Sequence, residues 1–120
     1  MRFESLLVHR CTFIKQNVVI GQDDYGRDIY GQEAIPNIHC RFDQIEKRVT
    51  KNDNSIDIII QPILYLAASQ EIEETLQIKD IRDKENNSLL PGVYGVKKIS
   101  REYSRIRLHH YEVELKKERD

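Results

Sequence analysis

Cysteine is scarce, long apolar runs are missing, and neither sign of charge dominates. Each absence removes a class of function. The 19 Lys and Arg residues are balanced by 20 Asp and Glu, for a formal charge of −1. That leaves no general basic footprint for nucleic acid, so any DNA contact would have to be local. No stretch approaches the roughly 20 apolar residues that cross a bilayer. The richest one, residues 56–68, is interrupted by Asp57, Gln61 and Pro62. At the N-terminus Leu6, Leu7 and Val8 are followed at once by His9 and Arg10, which is no secretory signal. The chain is therefore read as cytoplasmic. Its two cysteines, Cys11 and Cys40, are read as buried free thiols, the default in a reducing compartment, with a disulfide left open.

Catalytic motifs are missing as well. Ser5, Ser55, Ser69, Ser88, Ser100 and Ser104 sit in no Gly-x-Ser-x-Gly elbow, and no glycine-rich phosphate cradle occurs. Residues 22–31 lack the glutamate that completes a calcium loop. The acids Asp23, Asp24, Glu71, Glu73 and Glu74 fall in polar segments, where solvation is the simpler account. His9 with Cys11, His39 with Cys40, and His109 with His110 are the only candidates for zinc. They show no C-x₂-C or H-x₃-H spacing, and adjacent residues on a strand face opposite ways. Buried thiols with half-buried imidazoles are the plainer reading. No enzymatic activity, metal or cofactor is expected.

What the chain does have is strand-forming sequence punctuated by turns, without internal repeats. Strands are expected over residues 6–15, 35–42, 56–66, 76–81, 93–100 and 106–116. Even positions 56, 58, 60, 64 and 66 are all Ile or Leu, a two-residue period with one face buried, broken only by Pro62. In the last strand the apolar phase slips from Ile106 and Leu108 to Tyr111, Val113 and Leu115, which predicts a β-bulge near His109 and His110. Tyr94 and Val96 against Ile99 show a similar slip. Residues 16–34 and 44–55, rich in Gly, Asp and Lys, are expected as flexible loops, with a twisted hairpin ribbon as the alternative over residues 21–31, and residues 116–120 as a tail. One short helical turn is allowed within residues 67–75. The fold class is mainly β: one domain spanning residues 1–120, a small six-stranded antiparallel β-barrel with long loops.

Several segments, in order, resemble the head–tail joining (head-closure, or stopper) proteins of tailed bacteriophages and prophages. They are Leu7-Val-His-Arg-Cys-Thr-Phe-Ile, then Asp23-Asp-Tyr-Gly-Arg, then Ile38-His-Cys-Arg, a Tyr94-x-Val-x-x-Ile strand, and Arg107-Leu-His-His-Tyr-Glu-Val-Glu-Leu. The resemblance implies a virion-neck ring beneath the portal or adaptor protein that closes the DNA-filled head and docks the tail. Its partners would be portal or adaptor on one side and a tail-terminator or tail protein on the other. Before assembly the subunit would lie in the host bacterial cytoplasm, and because no long hydrophobic surface run suggests an obligate interface, it is expected to be a monomer in isolation. In such relatives the loop after the second strand faces the channel, which makes Lys47, Arg48 and Lys51 candidates for contact with packaged DNA. Asp23, Asp24, Tyr25, Arg27 and Tyr30 become candidates for an interface loop. Two other readings compete: a tail-terminator or minor tail ring protein, and a small OB-like nucleic-acid-binding barrel, which would need a basic aromatic face.

Overall fold

Three of the turns in this chain share one design, and they set its shape. In the computed structural model, which describes residues 3–104 and 107–118, the turns at 23–27, 51–55 and 83–87 each close a hairpin over five residues. In each, the first residue's N–H bonds the fifth residue's carbonyl, and the fourth residue's N–H bonds the first residue's carbonyl. The fourth residue is left-handed every time: Gly26 (φ 77°), Asn54 (φ 66°) and Asn86 (φ 66°). Glycine and asparagine are the residues that tolerate that region. Asp23 and Asp83 also cap their turns, each accepting two backbone N–H bonds through Oδ1.

Between the turns lie seven antiparallel strands: β1 (His9–Gln22), β2 (Asp28–Thr50), β3 (Ile56–Ala67), β4 (Gln77–Arg82), β5 (Ser88–Leu90), β6 (Tyr94–Ser104) and β7 (Arg107–Lys117). They pair in the order β1-β2-β3-β7-β6-β4, and β4 pairs back onto β1, so six strands form a closed ring. The seventh, β5, adds three residues to the edge of β4. A single 3-10 turn at Phe3–Leu6 precedes β1, and there is no α-helix among the described residues. No helix there is long and apolar enough to cross a membrane.

Alternation fills the ring. Cys11 and Phe13 of β1, Ile38 and Cys40 of β2, Leu64 and Leu66 of β3, Val113 and Leu115 of β7 and Val96 of β6 point inward and are buried, together with Leu76. Ile78 and Ile81 of β4 are three apart, and both reach the core because Asp80 between them is left-handed (φ 54°) and bulges the strand. Each fully buried aliphatic side chain contributes about 1.5–3 kcal/mol.

The expected phase slips are present. The register of β6 against β7 shifts between Glu102–His110 and Tyr103–Leu108, leaving His109 as the extra residue. A second shift between Val96–Leu115 and Lys98–Glu114 leaves Lys97 as the extra residue on β6.

Other expectations need correction. The segments expected as loops at 16–34 and 44–55 are mostly strand: β1 runs to Gln22, β2 from Asp28 to Thr50, and only the five-residue turns are irregular. The last strand extends one residue further than expected, to Lys117, which belongs to β7 rather than to a tail. Residues 67–75 form hydrogen-bonded turns, not a helical one. The first strand begins at His9, after the 3-10 turn, and β5 occupies what reads as a loop.

These long strands overrun the ring and make it extended. The radius of gyration is 17.2 Å, against about 14 Å for a compact domain of this length. The extents are 60 × 43 × 35 Å.

Candidate functional site

Three hairpin arms project where strands outrun their ring partners. β1 pairs with β4 only as far as Ile14, so residues 15–22 with 28–33 of β2 stand beyond the ring. β3 pairs with β7 only from Ile63 onward, so residues 56–62 with 44–50 of β2 form a second arm. β6 and β7 continue past the last β3–β7 pair, Ala67–His110, as a third. Antiparallel pairing fixes their directions: the β1–β2 and β6–β7 arms leave one end of the ring, and the β2–β3 arm leaves the other.

Exposed apolar surface is concentrated on these arms. Among the described residues twelve large apolar side chains are exposed, and eleven lie on an arm; Leu6 is the exception. The β1–β2 arm carries Val19, Ile20, Tyr25, Ile29 and Tyr30. The β2–β3 arm carries Val49, Ile56, Ile58, Ile59 and Ile60, and the β6–β7 arm Tyr103. The β2–β3 ladder has no register shift, so the inward face that bears Leu64 and Leu66 continues outside the ring as Ile60, Ile58 and Ile56. There those isoleucines are 50–61% exposed.

The β1–β2 arm gathers the expected interface residues. At its tip Asp23 accepts N–H bonds from Tyr25 and Arg27, each at 2.9 Å, and pairs through Oδ2 with Arg27 Nε at 2.9 Å. These bonds, led by the one from the Arg27 backbone, hold the Asp23 carboxyl below its ordinary value. The Arg27 guanidinium lies 5.3 Å from the centroid of the Tyr25 ring. Tyr25 is 84% and Tyr30 61% exposed, so neither packs back on the ring, and Asp24 is exposed beside them. At the arm's base, Gln32 donates to Gln16 (2.9 Å) and Gln16 to Gln77 of β4 (3.1 Å), bracing it against the ring.

The three basic residues of the β2–β3 arm are not brought together. Cross-strand partners share a face, so Arg48 lies with Ile58 and Lys47 lies opposite with Ile59. The Lys47 ammonium pairs with Glu114 of β7, and Lys51 pairs with Asp57 at 2.9 Å. Arg48 alone of the three has no ion pair among the described residues.

Sequence reasoning missed Gln61, a polar side chain 4% exposed where β3 leaves the ring. Its Nε2 donates to the Leu115 and Pro62 carbonyls, and its Oε1 accepts from Lys97 Nζ at 3.1 Å. The odd position of a glutamine within an apolar strand was the available signal.

The residues considered for zinc do not converge. Cys11 and Cys40 lie inside the ring, whereas His39 is exposed outside it. His9 Nδ1 accepts the Phe42 N–H at 2.9 Å. Burial lowers the His9 pKa, with Arg41 adding to the effect. His109 and His110 contact each other through Nδ1 at 2.7 Å. No group of three or more His, Cys, Asp or Glu among the described residues is placed to hold a metal ion.

No family model matches the sequence, and neither a curated protein nor a solved structure matches the chain.

Proposed function

We propose that this chain is a structural neck subunit of a tailed bacteriophage or prophage. It would assemble as a ring beneath the portal or adaptor, close the DNA-filled head and dock the tail. The observation that carries the reading is the distribution of exposed apolar side chains on arms that leave opposite ends of one closed ring of strands. A joining protein needs docking surfaces at both ends and no reaction centre. The ordered resemblance of residues 7–115 to head-closure proteins supports the same role.

On this reading the β2–β3 arm is the channel arm, and Arg48 is its foremost candidate for meeting DNA, because Lys47 and Lys51 already hold acidic partners. One charge per subunit acquires weight when a ring repeats it around a lumen. An OB-like nucleic-acid-binding barrel is less favoured. Phe13 is buried in the core, and Phe42, Tyr94 and Tyr111 pack against it, which leaves them unable to form a stacking face.

The test is electron microscopy of particles from a phage in which this gene carries an early stop codon. DNA-filled or leaking heads beside finished, unattached tails are expected. Heads that join tails normally overturn the proposal.

A further inference from the structure

β3 and β7 part at Gln61, and the fork between them opens on a cavity of about 540 Å³. Their ladder ends at Ile63–Glu114. Beyond it Gln61 Nε2 donates to the Leu115 carbonyl at 2.8 Å, and residues 115–117 of β7 pair with β6 alone. The apolar lining of the cavity includes Ile60, Pro62, Tyr94 and Leu115. Lys97, Lys116 and Lys117 line it too, and among the described residues no acid does. Lys97 Nζ donates to Gln61 Oε1 at 3.1 Å, a neutral acceptor that holds the ammonium at the fork without cancelling its charge. Neither these three lysines nor Glu118, which lies against Gly95, has an ion pair among the described residues.

The edge of β3 beside this cavity is unguarded. Residues 56–62 pair with β2 on one side and, among the described residues, with no strand on the other. A free strand edge is a template for another chain, and proteins usually blunt it with charge. The opposite edge of the arm, on β2, carries Glu46, Lys47 and Arg48. On β3, Ile56, Ile58, Ile59 and Ile60 are exposed, and Asp57 is the only charge.

We propose that the fork binds an extended acidic peptide segment of a partner protein. The segment adds as a strand to the free edge of β3, seats an apolar side chain in the cavity and places carboxylates against Lys97, Lys116 and Lys117. Backbone bonds to β3 supply affinity, and the cavity with its three ammonium groups selects the sequence. Charge complementarity identifies the occupant, since three uncompensated cations beside an apolar lining match carboxylates that flank an apolar side chain. Nucleic acid fits less well. A phosphate backbone offers nothing apolar to the cavity, and Tyr94 packs against the core rather than standing out as a stacking platform. The inference goes beyond the neck reading and does not depend on it.

The test uses a fluorescent synthetic peptide of about eight residues, glutamate alternating with valine and leucine. Anisotropy at low ionic strength should show binding that weakens as salt is added. Amide exchange within residues 56–61 of β3 should slow, while the tip of the β1–β2 arm exchanges as before. A chain carrying Lys116→Glu and Lys117→Glu, its melting temperature checked, should bind the peptide about tenfold or more weakly. The unaltered chain should show a similar loss for a peptide with serine in place of valine and leucine, and for one with lysine in place of glutamate. Affinity for the acidic peptide weaker than about 1 mM overturns the inference. So does equal affinity for the lysine peptide, or protection that appears on other strands and not on residues 56–61. Displacement of the peptide by a single-stranded oligonucleotide of the same net charge at equal concentration would assign the lysines to phosphate and overturn it as well. The neck reading fails on a different result, normal virions made without the chain, which leaves this binding untouched.

Discussion

Lys47 of β2 and Glu114 of β7 form an ion pair across β3, tying the root of the β2–β3 arm to a strand that does not touch β2. The Lys47 hydrogen bond, ahead of all other causes, holds the Glu114 carboxyl below its ordinary value of 4.5. A carboxyl whose folded-state pKa is depressed stabilises the fold above its unfolded value and loses that contribution as pH falls through the folded one. Lys47→Ala is expected to cost about 0.5–1 kcal/mol at pH 7, as a partly exposed pair should. In denaturant titrations the deficit should shrink below pH 4.5. A deficit that does not change with pH would mean that the lysine acts through packing alone.

Leu64 and Ile58 share one strand and one face but differ in role. Leu64 is fully buried in the ring, whereas Ile58 is 60% exposed on the arm. Leu64→Ala should cost about 2–5 kcal/mol. Ile58→Ser should shift stability by no more than about 0.5 kcal/mol. In a phage that depends on this chain, Ile58→Ser is expected to impair head–tail joining while leaving the melting temperature nearly unchanged. Equal thermal losses in the two variants would show that the arm is part of the core.

Cys11 and Cys40 lie side by side in the ring interior, and the hydrogen bond that the Cys11 thiol donates to Cys40, with burial, pushes the Cys11 thiol well above its ordinary value. Neither thiol should react with a thiol-specific reagent at pH 8 until the chain unfolds. Above about pH 9, where only an unfolded chain would release the Cys11 proton, stability should fall. Rapid labelling of the native protein would show that the ring opens locally.

Asp23 organises the tip of the β1–β2 arm without contributing to the core. Asp23→Ala should leave the melting temperature unchanged and speed amide exchange at Tyr25 and Arg27, whose N–H groups it accepts. In the unaltered chain the same two amides should lose protection as acid protonates Asp23, at a pH below the usual aspartate range. Unchanged exchange in the variant would assign the turn to Gly26 and its backbone bonds.

The ring was legible in the sequence wherever one face of a strand is buried. The alternation through residues 56–66 marked β3, and the phase slips at Lys97 and His109 marked two bulges. The arms were not legible as arms: Ile56, Ile58 and Ile60 continue the period of the buried Leu64 and Leu66 although they are exposed, and the strands facing them show no such period. Gln44 to Thr50 has only Ile45 and Val49 as apolar residues and reads as a loop, although it pairs with β3 residue by residue. β5 is too short to register, and its two leucines reach the core only because β4 carries them there. The basic cluster at Lys47, Arg48 and Lys51 was visible as a composition. Its division between two faces depends on register, which composition does not encode.

β2 is the longest strand, 23 residues that begin at one arm's tip and end at the other's. Its regular course breaks at Pro36 and the left-handed Asn37 (φ 58°), where the pairing with β1 shifts. The two ends of this molecule therefore share one continuous rod with a single elbow. Load placed on one tip reaches the other through that rod, without crossing a loop that would dissipate it.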